Sequence, residues 1–299
     1  MKKRQLFNNP MGGKLKIPIW NQIPMTRIKI IIARVLYRML HMVLKTDFHT
    51  IHRRSVCYAV DLSEGIDLSI FLFGHFQDHV TRQKHFSIPN DAVVFDVGAN
   101  IGSMTFRFAQ LAPRGHIYAF EPTFFAYRKL QHNMSLNPQL AERITALQLF
   151  VSDESRADHQ LKAYASWKVD GSADQTHILH GGAIKNADSI PAVSIDGFCN
   201  ENRILKVDVI KIDTDGHELN VLKGACSTIE RFLPTIIFEV GLYTLQENNE
   251  AFKLYLDFLS SFNYILINSK NGKRITRENF QTQIPLRATT DVIAIASSR

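Results

Sequence analysis

Ten residues, Val93–Gly102 (VVFDVGANIG), constrain the chain more than any other stretch, together with His116–Pro122 (HIYAFEP) downstream. Val93 to Val97 is an apolar, β-branched run broken only by Asp96, the pattern of a strand buried on both faces of a parallel sheet. It ends in the turn Gly98–Gly102, and SMTFRFAQLA beyond it carries helical spacing. A strand, a tight glycine turn and a helix start bring backbone N–H groups and a positive dipole end to one point. Glu121 ends the next strand, 25 residues after Asp96. An acid there commonly accepts hydrogen bonds from a ribose in open α/β sheets. These features predict a nucleoside-cofactor site.

Glycine spacing discriminates between cofactors. A dinucleotide fingerprint is G-x-G-x-x-G; here the pattern is D-x-G-x-x-x-G, with Asn100 at the second glycine's place. No Walker-type lysine follows, because Ser103 and Met104 come after the last glycine. Such a loop suits a bulky ligand that is not a polyphosphate. The pattern resembles the first motif of class I S-adenosylmethionine-dependent methyltransferases.

A chain of 299 residues accommodates one large α/β domain or two small ones, and 45% hydrophobic with 21% charged residues is the composition of a soluble globular protein. Cys57, Cys199 and Cys226 are widely spaced and form no C-x-x-C, which argues against a disulfide framework or a zinc site and fits a reducing compartment. No signal peptide is evident. Net charge is +7, unevenly spread. Residues 1–54 hold 12 Lys and Arg against one acid, Asp47, a balance of +11; the other 245 hold 23 against 27, a balance of −4. An anionic partner is expected for the basic part: a membrane surface, an acidic glycan or nucleic acid.

Three regions follow: a basic segment over 1–54, lead-in strands and a helix over 55–90, and the cofactor domain over 91–299. Ile23–Leu44 has too many charges to span a membrane. At 100° per residue, Arg27, Arg34, Arg38, His41 and Lys45 share one stripe, and Ile28, Ile31, Ile32, Val35, Met39, Met42 and Val43 another. This is a basic amphipathic helix, which either docks on its own domain or lies on an anionic membrane surface through residues 23–45. Val56–Asp61 and Ile66–Phe73 are predicted strands flanking a turn, and Gln77–Lys84 a helix. His75 and His79 stand at i, i+4 without an H-E-x-x-H motif, so no metal site is assigned to them.

From Ala92 strands and helices alternate. Strands are predicted at Val93–Val97, His116–Phe120, Ile144–Val151, Val207–Ile212, Thr235–Val240, Tyr264–Asn268 and Asp291–Ala296. Helices are predicted from Gly102 to Ala112, from Pro122 to Leu136, over LNVLKGACSTIERF and around Ala251–Ser261. Lys162–Pro191 is irregular, a lid or cleft-lining insertion. The count predicts a Rossmann-like, doubly wound seven-stranded sheet with one late antiparallel strand.

Ligands in such sheets sit outside the carboxyl ends of the strands. For a sulfonium cofactor, the loop Gly98, Ala99, Asn100, Gly102 and Ser103 approaches adenosine and methionine. Glu121, followed by Pro122, takes the ribose hydroxyls, Ser152 and Asp153 face the adenine, and Asp96 favours the cationic end. Asp213–Glu218 points to the reacting centre. Transfer to oxygen needs in-line positioning and a base for the hydroxyl proton. His217 is one candidate base; Asp213 and Asp215 are rivals, or bind acceptor hydroxyls. Glu218 and Glu239 complete the acceptor side, although acids at a helix start also serve its dipole.

With these residues in hand, the chain resembles the FkbM family of S-adenosylmethionine-dependent methyltransferases. The resemblance lies in VVFDVGANIG with Thr105, AFEPTFFAYRKLQHNMSLN, LFVSDES, and DVIKIDTDGHELNVLKGA continuing to PTIIFEV. The fourth stretch is similar to the family's I-K-I-D-x-E-G-x-E-x-x-V-L-K-G. The resemblance implies a class I fold and O-methylation of a hydroxyl on a sugar, glycan or secondary metabolite. It implies cofactor roles for Asp96, Gly98, Asn100, Gly102, Glu121 and Asp153, and acceptor-side roles for Asp213, Gly216 and Glu218. Asp215 and His217 depart from the pattern, which has glutamate and a small residue there.

Rival readings are an NAD(P)-dependent sugar-modifying enzyme, opposed by Asn100, and a nucleic-acid methyltransferase, disfavoured because Asp213–Gly216 stands where an aromatic-plus-proline motif would. A non-catalytic peripheral membrane protein with a vestigial cofactor fold is opposed by the intact Asp96, Glu121 and Asp213. The location expected is cytoplasmic, peripheral at the inner face of a membrane if the first helix lies on it. Oligomeric state is not legible.

Overall fold

The computed structural model describes residues 25–81, 84–153, 162–167, 169–170, 182–186, 190–214, 216–241, 249–285 and 288–297. Helix α1, Met25–Leu44, precedes a hairpin of β1, Phe48–Arg53, and β2, Val56–Asp61. The hairpin turn, Arg54 and Ser55, has φ of 49° and 63°. Two positive φ values are the type I′ geometry that matches strand twist. The boundary expected after residue 54 falls inside this turn.

Ile66–Phe73, expected as a strand, is helical: α2 spans Gly65–Phe73. Its Leu68 and Ile70 are buried in the same core as Val56, Tyr58 and Val60. Short runs buried on several sides lack the alternation that separates strand from helix. The helix expected over Gln77–Lys84 contracts to one turn, α3, Asp78–Thr81.

The central strand β3, Val93–Val97, leads into α4, Ser103–Leu111, then β4, His116–Phe120, and α5, Phe124–Ser135. Pro122 precedes the N-cap, Thr123, rather than opening the helix. After it, Pro138 starts a short helix of its own, α6, Pro138–Ala141. The expected strand Ile144–Val151 is two: β5, Ile144–Leu147, stays in the main sheet, and β6, Phe150–Val151, leaves it to pair with β9. Within the stretch expected as irregular, β7, Lys162–Trp167, and β8, Gly182–Asn186, form an antiparallel pair with an irregular register. The rest of that stretch lies largely outside the described residues.

β9, Ala192–Val193, and α7, Ile195–Glu201, precede β10, Val209–Ile212. The helix predicted next is broken at Gly224 and Ala225 into α8, Glu218–Lys223, and α9, Cys226–Phe232. β11, Thr235–Val240, α10, Asn249–Ser261, β12, Tyr264–Asn268, β13, Arg274–Ile275, α11, Phe280–Gln283, and β14, Thr290–Ala296, follow. The main sheet runs β13-β12-β14-β11-β10-β3-β4-β5, with β14 antiparallel to β11 and β12. The seven expected main-sheet strands are present, with β13 added at one edge.

Alternation along β3 divides the core into two layers. Val94 faces one cluster, with Phe106, Phe108 and Leu130, and Phe95 the other, with Phe238, Phe252 and Tyr255. The lead-in segment joins the first layer. Its strand edge is satisfied by two buried asparagines: Asn133 Oδ1 accepts from Ala59 N at 2.8 Å, and Asn137 Oδ1 from Cys57 N at 2.8 Å.

Asp67 in the first turn of α2 accepts from Asp61 N at 2.6 Å and pairs with Lys129 of α5. Burial pushes its carboxyl up to about 6 from 3.8, against the pull of Lys129. A carboxyl with a raised folded pKa takes up a proton on folding. Its contribution is therefore fully present below about pH 4 and lost as pH rises through 6, on the order of 2–3 kcal/mol. In Asp67→Asn this part of the pH dependence should vanish from a series of urea midpoints; an unchanged slope between pH 4 and 6 would refute it.

Candidate active site

The chain moves from β3 outward to β4 and β5, then returns to β10 and β11 on the other side of β3. The order of strands therefore switches between β3 and β10, where the crevice of an open α/β sheet lies. Gly98, with φ of 80°, and Ala99 both donate to Phe120 O, at 2.9 and 3.0 Å. A Cβ on Gly98 would stand 1.9 Å from Asp213 O, and one on Gly102, φ 93°, 2.6 Å from Leu130 Cδ1. Close packing within the chain is thus one reason for glycine at both positions. Asn100 takes the left-handed region, φ 50°, and its Oδ1 accepts from Ile101 N at 2.9 Å. Asparagine tolerates that region better than most residues, which accounts for it here.

Glu121 clamps this turn. Its Oε2 accepts from Asn100 N at 2.9 Å, and its Oε1 from Thr123 N at 2.9 Å and Thr123 Oγ1 at 2.5 Å. Burial raises its pKa against these donors. An ionised carboxylate offers about four acceptor sites, so capacity remains beyond the three in use.

At the switch-point strands, buried Lys211 and Asp96 form a triad with half-buried Asp213. Lys211 Nζ lies 3.6 Å from Asp96 Oδ1 and 3.3 Å from Asp213 Oδ2. Asp96 Oδ2 accepts from Thr105 Oγ1 at 2.6 Å, while its Oδ1 has no hydrogen-bond partner among the described residues. Burial works to lower the Lys211 pKa, but Asp213 and Asp96 outweigh it and hold the ammonium charged. Burial pushes Asp96 up against the pull of Lys211. Lys211, a charge inside an otherwise apolar strand, is the feature of the sequence that could have pointed to this triad.

The Asp213–Glu218 turn is closed by Glu218, whose Oε1 accepts from Thr214 N at 3.1 Å, Thr214 Oγ1 at 3.2 Å and Gly216 N at 3.0 Å. Asp215 lies outside the described residues. His217 packs edge-on against Phe150, ring centres 5.4 Å apart. Ser152 Oγ donates to Asp153 Oδ1 at 3.0 Å, and both follow β6 rather than a main-sheet strand. Glu239 Oε1 accepts from Thr289 Oγ1 at 2.6 Å.

Two partners of this rim escaped the sequence. Gln77 Nε2 donates to Asp213 Oδ2 at 2.9 Å; its φ is 52°, and its Oε1 is buried without a partner among the described residues. His79 Nε2 lies 2.6 Å from Asp291 Oδ2, with Asp291 almost fully buried. Asp291 reaches the rim because β14 is antiparallel, which sets its first residues beside the last of β11, Glu239 opposite Asp291. Gln77 and His79 line a cleft of about 770 Å³ with His75, Lys84 and Lys270. α3 begins only at Asp78, so His75 and His79 do not share a helix.

A switch point with a glycine turn on one side and acids at several strand ends defines a class I methyltransferase fold. The model of the methyltransferase FkbM domain matches residues 96–266, and the chain belongs to that family. It is 28% identical over 189 residues to the 2-O-methyltransferase NoeI of Sinorhizobium fredii, covering 58% of this chain and 74% of NoeI. It is 26% identical over 141 residues to the hexuronic acid methyltransferase AglP of Haloferax volcanii, covering 47% of this chain and 52% of AglP. Among solved structures, methyltransferase FkbM from Methylobacillus flagellatus is similar at 18% identity and a TM-score of 0.47, over 74% of this chain and 48% of that one. The chain thus spans about half the length of AglP and of that structure. No described helix is long and apolar enough to cross a membrane.

Proposed function

We propose that the chain uses S-adenosylmethionine to methylate a hydroxyl oxygen of a sugar or related metabolite. The observation that carries this reading is the donor set at the switch point. The turn Gly98–Ser103 has no basic residue, Glu121 keeps acceptor capacity, and acids outnumber the lysine two to one around Lys211. That set fits ribose hydroxyls and a cation and does not fit a polyphosphate. When bound, the sulfonium supplies an electrophilic methyl group.

The chain's own residues would then divide the work. Glu121 holds the ribose edge and the turn together, and Ser152 and Asp153 stand on the adenine side. Asp96 and Asp213 favour positive charge, with Lys211 fixing their separation. On the acceptor side, Gln77 steadies Asp213, and His79, oriented by buried Asp291, is placed to take the hydroxyl proton. A base held by a third group is the general arrangement for activating a hydroxyl. His217 has a ring neighbour instead, and Glu218 closes its own turn, so both serve as positioning residues. The names of NoeI and AglP direct the choice of acceptors to sugars and uronic acids.

The test is methyl transfer from labelled S-adenosylmethionine to a panel of hydroxylated sugars and uronates. His79→Gln should slow transfer by about 10²- to 10⁴-fold, with cofactor affinity by calorimetry unchanged within about twofold, and His217→Ala by less than about tenfold. The reverse ranking would return the base role to His217. Saturable binding of NADH but not of S-adenosylmethionine would overturn the whole reading.

A further inference from the structure

Helix α1 has three faces. Ala33, Tyr37, Leu40 and Leu44 pack on the lead-in core. Arg34, Arg38, His41 and Lys45 are exposed along a second stripe. The third face carries Ile28, Ile31, Ile32, Val35, Met39, Met42 and Val43, between 39 and 77% exposed. At 3.6 residues per turn these seven fill an arc of about 120° along most of a helix about 30 Å long. Phe48, 74% exposed, follows directly. An apolar surface this continuous is far beyond the scattered apolar residues normal on a protein surface.

The orientation is fixed by the single acid of the first 54 residues. Asp47 Oδ2 accepts from Tyr37 Oη at 3.2 Å, and its Oδ1 lies 2.9 Å from His41 Nδ1. Its carbonyl accepts from Leu62 N at 2.9 Å, which joins the helix end to the strand layer. The helix thus uses one apolar face for docking and keeps a second one outward.

We propose that this outward face is a docking surface for an anionic lipid bilayer. Charge complementarity selects that occupant. The basic stripe borders the apolar arc, and residues 1–54 carry +11 while the remainder carries −4. In the interfacial arrangement the apolar residues enter the acyl boundary and the bordering arginines meet lipid phosphates. A membrane set against this face would be attracted to the basic segment and repelled by the catalytic part. This inference is independent of the acceptor's identity.

The experiment is co-sedimentation of the full chain with vesicles of phosphatidylcholine mixed with the anionic lipid phosphatidylglycerol, and with vesicles of phosphatidylcholine alone. Preferential binding to the anionic vesicles is expected. The triple variant Ile31→Ser, Val35→Ser, Met39→Ser should lower the partition coefficient at least about tenfold, and so should Arg34→Glu with Arg38→Glu. Both variants should bind S-adenosylmethionine as the parent does, which checks folding. Vesicle binding by the apolar variant equal to the parent's, or no binding by the parent, would overturn the proposal. A parent dimer that the apolar variant converts to monomer, without vesicle binding, would assign the face to a second copy instead.

Discussion

Glu121→Ala should weaken S-adenosylmethionine binding by about 30- to 100-fold. That corresponds to about 2–2.7 kcal/mol, within the range for losing a hydrogen bond to a charged group. The variant also strips Asn100 N and Thr123 N of their acceptor, and each unpaired buried N–H costs about 1–3 kcal/mol of stability. The two effects separate with Glu121→Gln, which retains a carbonyl acceptor in the same shape and should lose about tenfold in affinity with a smaller fall in urea midpoint. Calorimetric titration beside a denaturation curve gives both quantities. If Glu121→Ala binds cofactor as the parent does while its midpoint falls, Glu121 is a turn clamp and the ribose role goes elsewhere.

Gly98→Ala should be severely destabilising. The new Cβ would meet Asp213 O at 1.9 Å, and the residue would have to hold φ at 80°. Left-handed strain and overpacking against immobile backbone together cost about 3–5 kcal/mol. Relief by parting the ends of β3 and β10 would also separate Asp96 from Asp213 and should abolish cofactor binding. Gly216→Ala is the matched control: its φ is 112°, but a Cβ there meets nothing within 4 Å. It should cost about 1 kcal/mol. Equal midpoints for the two variants would show that the contact with Asp213 yields and that the glycine is not needed for packing.

The glycine turn and the acid that clamps it were legible because they are local. Strand, turn, helix and acid lie within Val93–Glu121, and each has its own signature in residue type and spacing. The contacts on the other side of the rim were not, because they join residues far apart: Gln77 to Asp213, His79 to Asp291. Nothing around Gln77 marks it, and the histidine spacing at 75 and 79 carried no information about a strand more than 200 residues later. The β1–β2 hairpin was missed because Arg54 and Ser55 occupy a turn that usually takes asparagine and glycine. Ile66–Phe73 was misread because an apolar run that short fits a buried helix as well as a strand. The split of β5 from β6 depends on a partner strand some 40 residues onward.

The antiparallel β14 decides which parts of the chain meet at the rim. It carries a residue from the end of the chain to a rim otherwise built from the middle, where it meets a residue from before the first core strand. The glycine turn and Glu121 therefore lie in one continuous block, while Gln77, His79 and Asp291 come from the two flanks that enclose it. On the function proposed above, changes in those flanks would alter the acceptor side of the rim while leaving the glycine turn and Glu121 in place.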